Sequence, residues 1–400
     1  MSPRPLLPLL LALLTLPAAC KRESPTGAAG APGQAPAAAA SGASGGARPK
    51  VGVVTDVGGR GDGSFNDSAL RGLELWAAGK VMEGGRYREA TPEEVKASLP
   101  EALASRSPPV QPLAVEPLVL QSKVQEEYEP NLQLLVDQGV ALAVGVGYML
   151  EPAVETVARR NPDSRFLLID SVLLDSAGKP VKLPNVRTTV FREEEGSFLV
   201  GALAGLVSKG GKVGFVGGTE VPLIKRFEAG FRAGVLATRP DATPLVAYTG
   251  TFDNVAAGKQ VAQDLLSKGA DVVFHAAGSD GLGVIQAVKE ARAAGRQVWA
   301  IGVDSDQAHL APDAILTSMV KRVDLAVYDA VRALTEGRFE AGDVALGLKE
   351  GGVDMAPVRV DFPGKAEALA RVEALRQKVA GGAVKVPTTP AGLAGFKVAP

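Results

Sequence analysis

KVGVVTD, Lys50 to Asp56, sets three valines and a glycine between a leading lysine and a polar Thr-Asp exit. A short apolar run bounded in this way is the pattern of a strand buried on both faces. A polar, glycine-rich loop follows, and then ALRGLELWAAGKVM (Ala69–Met82), whose apolar residues recur at helical spacing. Strand, loop and helix together open an α/β unit. The alternation continues through ALAVGVG (Ala141–Gly147), RFLLIDS (Arg165–Ser171), KVGFVGG (Lys212–Gly218), PLVAYTG (Pro244–Gly250), DVVFHAAG (Asp271–Gly278) and QVWAIGVD (Gln297–Asp304). Helical stretches such as EPNLQLLVDQG, AAGKQVAQDLLSKG and GVIQAVKEARAAG lie between them, each ending in glycine as helix C-termini do. Such alternation predicts parallel sheets with helices on both faces. There are too many strands for one sheet and a small addition, so two doubly wound lobes are expected.

Toward the N-terminus the texture changes. Residues Lys21 to Pro49 are mostly Ala, Gly, Pro and Ser, too poor in apolar surface to fold, and read as a tether. Before them, MSPRPLLPLLLALLTLPAA has one basic residue, a leucine-rich core and a small-residue exit, the form of a bacterial secretion signal (1–19). Cys20 follows directly and is the only cysteine, so no internal disulfide is open to it. It reads as the acceptor of a lipid anchor, although Pro17 stands where lipoprotein signals usually carry Leu. The expected location is extracytoplasmic: a membrane-anchored lipoprotein on the periplasmic face of the inner or outer membrane, or at the cell surface. Several acyl chains on one residue would hold it there.

The chain has 400 residues, 22% charged, and a net charge of -1. That balance provides no electrostatic reason to expect nucleic acid as a partner. With one cysteine and two histidines, His275 and His309, a His/Cys metal site is not expected, and no carboxylate cluster has ligand spacing. The glycines of VGGRGDGSF miss the dinucleotide spacing G-x-G-x-x-G, and GFVGG (214–218) lacks the Gly-Lys-Ser/Thr of a P-loop. Neither histidine lies in a recognisable nucleophile context, so no catalytic residue, cofactor or enzyme activity is expected. Residues Tyr87 to Pro117 break the alternation and read as a surface insertion with one helix near Glu93–Ala104. The tail beyond Ala380 is expected to wrap the surface.

In open α/β sheets ligands bind at the carboxyl ends of strands. The residues there are polar, acidic or aromatic: Thr55-Asp56, Gly63-Ser64-Phe65-Asn66-Asp67, Gly147-Tyr148, Asp170, Gly250-Thr251-Phe252-Asp253, Gly278-Ser279-Asp280 and Asp304-Ser305-Asp306. A phenylalanine in a polar loop either tucks into the core or offers its face to a ligand. Phe65 and Phe252 both stand at strand ends in a chain with 5% aromatics, which favours a stacking pair for a flat ring. Asp304 reads as a helix N-cap or as a carboxylate accepting from a vicinal diol. Lys321, in TSMVKRVD, reads by itself as a solvated helix residue.

Several of these stretches together resemble one family: TDVGGRGDGSFNDSALRGLE, GVGYML, FREEEGSFLVGALAG, KVGFVGGTEVPLIKRFEAGFRAG, TFDNVAAGK, AAGSDGLGVIQAVKE and GVDSDQAHLAPDAILTSMVKRVD. They are similar, from about Lys50 to about Gly337, to the basic membrane protein family of ABC-transporter substrate-binding lipoproteins, of the purine nucleoside receptor type. The resemblance implies a type I periplasmic binding protein fold, with two lobes, hinge crossovers and an interlobe cleft. It implies a nucleoside ligand passed to an ABC permease and ATPase complex. It further implies that Phe65 and Phe252 sandwich the base, Asp304 and Lys321 hold the ribose hydroxyls, Gly278 gives a backbone contact, and Asp56 and Asn66 reach the base edge. Tyr148 completes the expected ligand set. The sequence departs from the family pattern in the 87–117 insertion, in Asp280 where Thr is common, and in Val57 where a polar residue occurs. The expected lobes are 50–189 with 314–345, and 190–313 with 346–400, in a monomer. The alternative reading is an extracytoplasmic sensory receptor for a nucleoside or other small solute. A nucleoside hydrolase would need an aspartate metal cluster or a poised general base, and neither is evident.

Overall fold

β1 (Lys50–Thr55) buries every residue after its lysine, as a strand covered on both faces must. The computed structural model describes residues 48–99, 109–175 and 177–398. The expected signal, Cys20 and all but the end of the 20–49 tether lie outside the described residues.

β1 pairs in parallel with β4 (Glu116–Gln121) on one side and β5 (Leu142–Val146) on the other. The sheet extends through β6 (Phe166–Ile169) and β7 (Val186–Phe191) to β13 (Gly342–Leu346), giving the order β13-β7-β6-β5-β1-β4, all parallel. The second sheet is built from β8 (Lys212–Gly217), β9 (Thr243–Tyr248), β10 (Val272–Ala276), β11 (Trp299–Asp304), β12 (Ile315–Lys321) and β14 (Val353–Met355). Its order is β14-β12-β11-β10-β8-β9, parallel except for β14. Numbered within each lobe, the first five strands lie 2-1-3-4-5 in both, the second common order of doubly wound sheets.

The leading strands share a local cause for their packing. Lys50-Val51-Gly52 and Lys212-Val213-Gly214 occupy equivalent places. A methyl on Gly52 would lie 2.6 Å from Leu135 of helix Tyr128–Asp137, and one on Gly214 would lie 3.1 Å from Leu265 of helix Val255–Ser267. Glycine at each place lets a leucine seat closely against the middle of the strand.

The chain passes between the sheets three times: after β7 at Arg192, after β12 at Arg322, and between β13 and β14. These passages are bonded to one another. Arg192 N–H donates to Leu346 O (3.0 Å) and Arg322 N–H to Gly352 O (2.8 Å), while Leu348 N–H donates to Glu195 (2.8 Å). Beyond the last passage, helix Lys365–Ala380 packs on helix Glu193–Val207 of the second lobe. The tail follows that lobe, with Phe396 edge-on to Phe198 at 6.2 Å.

Four expectations need correction. Residues 314–321 belong to the second lobe, because β12 pairs with β11, and the return to the first lobe comes after Lys321. Lys321 ends a strand and is not a helix residue. The helix expected over Ala69–Met82 ends at Ala77, its last turns π-helical from Arg71, and β2 (Lys80–Glu83) pairs with β3 (Arg86–Glu89) as a hairpin. The insertion's helix spans Pro92–Ser98, started by a Thr91/Glu94 capping box, and residues 100–108 lie outside the described residues.

Candidate functional site

Each sheet reverses its strand order beside its leading strand, at β1/β5 and at β8/β10, and loops leaving such neighbours part to open a crevice. One cavity is lined from both places, by Asp56 and Gly147 of the first lobe and by Ala277 and Gly278 of the second. About 570 Å³ of empty space lies between its walls, the solvent-open mouth included.

All eight residues singled out from sequence line this cavity: Asp56, Phe65, Asn66, Tyr148, Phe252, Gly278, Asp304 and Lys321. Phe65 opens the helix Phe65–Leu70, whose start is capped by Asp62. That carboxylate accepts from Ser64 N (2.9 Å), Asn66 N (2.7 Å) and Asp67 N (3.1 Å), which points the phenyl ring into the cleft. Gly147 holds φ +115°, a conformation that favours glycine, and a methyl there would crowd the Asp56 carboxylate at 3.2 Å. Phe252 lies over Gly218, where a methyl would overlap the ring at 2.2 Å. Tyr148 meets Phe252 edge-on at 6.4 Å, and its hydroxyl lies 3.1 Å from Thr219 Oγ1 across the cleft. Val57 and Asp280, the two single-residue departures from the family pattern, do not line the cavity.

Asn66 donates to Asp56 (2.7 Å) and to Asp62 (3.0 Å), so its amide orientation is fixed. Its Oδ1 is buried with no hydrogen-bond partner among the described residues. Burial pushes the Asp56 carboxyl up to about 7, against the stabilising hydrogen bond from Asn66. Asp304 is not a helix cap. It ends β11 on left-handed backbone, φ +62°, and accepts from the Ser64 hydroxyl at 2.5 Å. Burial raises it to about 7 as well, against the pull of Lys321.

Lys321 is 1% exposed. Its ammonium bonds Asp170 at 2.5 Å and Glu193 at 3.1 Å, and sits 5.3 Å from the centre of the Phe65 ring. Burial alone would lower its pKa, but Asp170, Glu193 and Asp304 outweigh this and hold it above the usual lysine value. Asp170 is raised by burial, with Lys321 opposing, and its Oδ1 is a second buried oxygen without a hydrogen bond among the described residues. Asp56, Asp62, Asp170 and Asp304 thus face a single cation in the cavity wall, and that cation is already shared.

Sequence reasoning did not carry Asp170, Asp62, Leu223, Ile224 or Phe227 to this site. Asp170 was visible as a strand-end residue. Leu223, Ile224 and Phe227 lie on helix Pro222–Thr238, and their spacing is that of any core-facing helix. Of the histidines, His275 is fully buried, which lowers it to about 4, and His309 is exposed. Among the described residues no group of three His, Cys, Asp or Glu could hold a metal ion, and no helix is long and apolar enough to cross a membrane.

The family model described as "ABC transporter substrate-binding protein PnrA-like" matches residues 49–389. This chain belongs to that PnrA-like family. Among its relatives is the "CD4+ T-cell-stimulating antigen" of Listeria monocytogenes, 36% identical over 354 residues, covering 85% of this chain and 88% of the relative. The "ABC transporter nucleoside-binding protein BmpA" of Lactococcus lactis is 31% identical over 320 residues, covering 76% and 81%. A crystal structure of an ABC transporter solute-binding protein from Aeropyrum pernix matches with a TM-score of 0.69 at 28% identity, covering 86% of this chain and 95% of that one. The PnrA-like chain is therefore a solute-binding protein with the two-lobed type I periplasmic binding fold.

Proposed function

We propose that the protein captures a nucleoside, with a purine the best fit, and delivers it to an ABC permease from a lipid anchor at Cys20. One observation carries this reading: Phe65 and Phe252, from different lobes, line the same cavity as Asp304 and Lys321. Two aromatic faces suit a flat base, which stacks with little regard to its substituents. A carboxylate beside an ammonium suits a ribose diol, whose hydroxyls donate to one and accept from the other. Asp56 and the open Oδ1 of Asn66 offer acceptors to N–H groups on a base edge. The name of the Lactococcus relative agrees with this reading. Contacts on both lobes would favour the closed cleft, and a permease would read that state. The chain binds and releases its ligand unchanged.

Thermal denaturation with inosine, guanosine, adenosine and ribose tests the assignment. A nucleoside at a hundredfold over Kd adds about 2.7 kcal/mol to stability, and ribose alone adds far less. Absence of a shift with every nucleoside would remove the ligand while leaving the fold and family untouched.

A further inference from the structure

Behind the cavity, a second set of contacts joins the lobes without lining it. Gln307 follows β11 and is 0% exposed. Its Oε1 accepts from the backbone N–H of Val303 at 3.0 Å, and its Nε2 donates to the carbonyl of Gly63 at 3.0 Å, in the first lobe. Both partners are backbone groups of fixed polarity, so the amide cannot be turned the other way. His275 Nε2, 3.1 Å from the same Oε1, must then carry the proton. Gln307 N–H is held by Ser318 Oγ at 3.1 Å. Gly302 makes room for the amide to fold back, since a methyl there would lie 2.5 Å from its oxygen. The side chain is gripped on its own lobe and presents one donor to the other.

Beside it, Ser305 Oγ donates to Ser64 O (3.3 Å) and Ser64 Oγ to Asp304 (2.5 Å). The seated segment, Gly63–Ser64, leads directly into Phe65 and Asn66.

We infer that Gln307, held by His275, is a positioning residue that docks the Gly63–Ser64 loop on the second lobe and stabilises the closed cleft without touching the solute. The inference rests on the reading of a cleft that closes over its solute, and not on which solute that is. A dock that needs no solute favours the closed form with or without ligand, and a solute adds to that preference. Release must break this dock, so its strength appears mainly in the dissociation rate.

The test uses Gln307→Glu, which keeps the size and the bond from Val303 but turns a carboxylate oxygen toward the Gly63 carbonyl. Interlobe distances come from paired spin labels without ligand, and guanosine is the kinetic probe. The wild type is expected to show a closed population without ligand. The variant is expected to lose it and to release guanosine about tenfold faster, with association changed by less than about twofold. His275→Leu, which removes only the support, shifts both readouts the same way and less far. A wild-type distance distribution that is wholly open without ligand overturns the inference and needs no variant. Unchanged distances and release rate in Gln307→Glu overturn it too. Should guanosine fail to bind the wild type, the nucleoside reading falls while the distances still decide the role of Gln307.

Discussion

Asp170 and Asp304 hold left-handed backbone, φ +71° and +62°, just past the end of β6 and at the end of β11, equivalent strands of the two lobes. A non-glycine residue keeps that conformation only where its surroundings compel it, at a cost of about 1–3 kcal/mol. Here Asp170 pairs with Lys321, and Asp304 feels its charge while accepting from Ser64. Asp304→Ala is expected to weaken nucleoside binding by about 10- to 100-fold, the loss of a charge-assisted hydrogen bond, as read by calorimetry. Asp56 and Asp304 also set a pH dependence. Both titrate near 7 when folded, against an ordinary value of 3.8. Between those values the folded chain holds more protons than the unfolded one, so their contribution to stability declines as pH rises from about 4 to about 7 and is flat above. Asp56→Asn should remove its share of that decline, leaving the variant more stable than wild type by about 1–3 kcal/mol at pH 8 and close to it at pH 5, measured by urea midpoints.

At the scale of elements, the close approach of Leu135 to Gly52 predicts that Gly52→Ala destabilises by about 1–3 kcal/mol through overpacking, seen as a lower urea midpoint with unchanged slope. Lys321→Met should cost more, about 3–5 kcal/mol, because it leaves Asp170 buried without its cation, while Glu193 keeps Arg226 at 2.8 Å. Elements also divide what the sequence makes legible from what it hides. The valine-rich strands β1, β5, β8 and β10 announce themselves because both faces are covered. The site follows from them, since residues just past those strands must meet at the reversal of strand order. β12 was hidden because Thr317 and Ser318 look like surface residues. In the fold the Thr317 hydroxyl donates to Ala356 O (2.6 Å) and Ser318 Oγ accepts from Gln307 N–H, partners that no local pattern reveals. Lys321 was misread with them. Phe227 was hidden for the opposite reason, since a phenylalanine on an apolar helix face looks the same whether it meets a core or a cleft.

For the whole molecule, the four acids around one shared ammonium make the cavity hostile to anions above the pH near 7 at which Asp56 and Asp304 ionise. Guanosine 5′-monophosphate is expected to bind at least about 100-fold more weakly than guanosine, since unmatched like charges in a closed site cost several kcal/mol. Parallel titrations at one ionic strength check this, and equal affinities would show that the phosphate stays in solvent. The three passages between the sheets carry a different consequence. The edge strand of the first sheet, Gly342–Leu346, is made by the ribosome only after nearly all of the second sheet has emerged. Until then β7 waits with a bare edge, the kind of surface on which nascent chains pair wrongly. Neither half is a contiguous stretch of gene, so neither can be cloned by itself intact, and the two should melt as one.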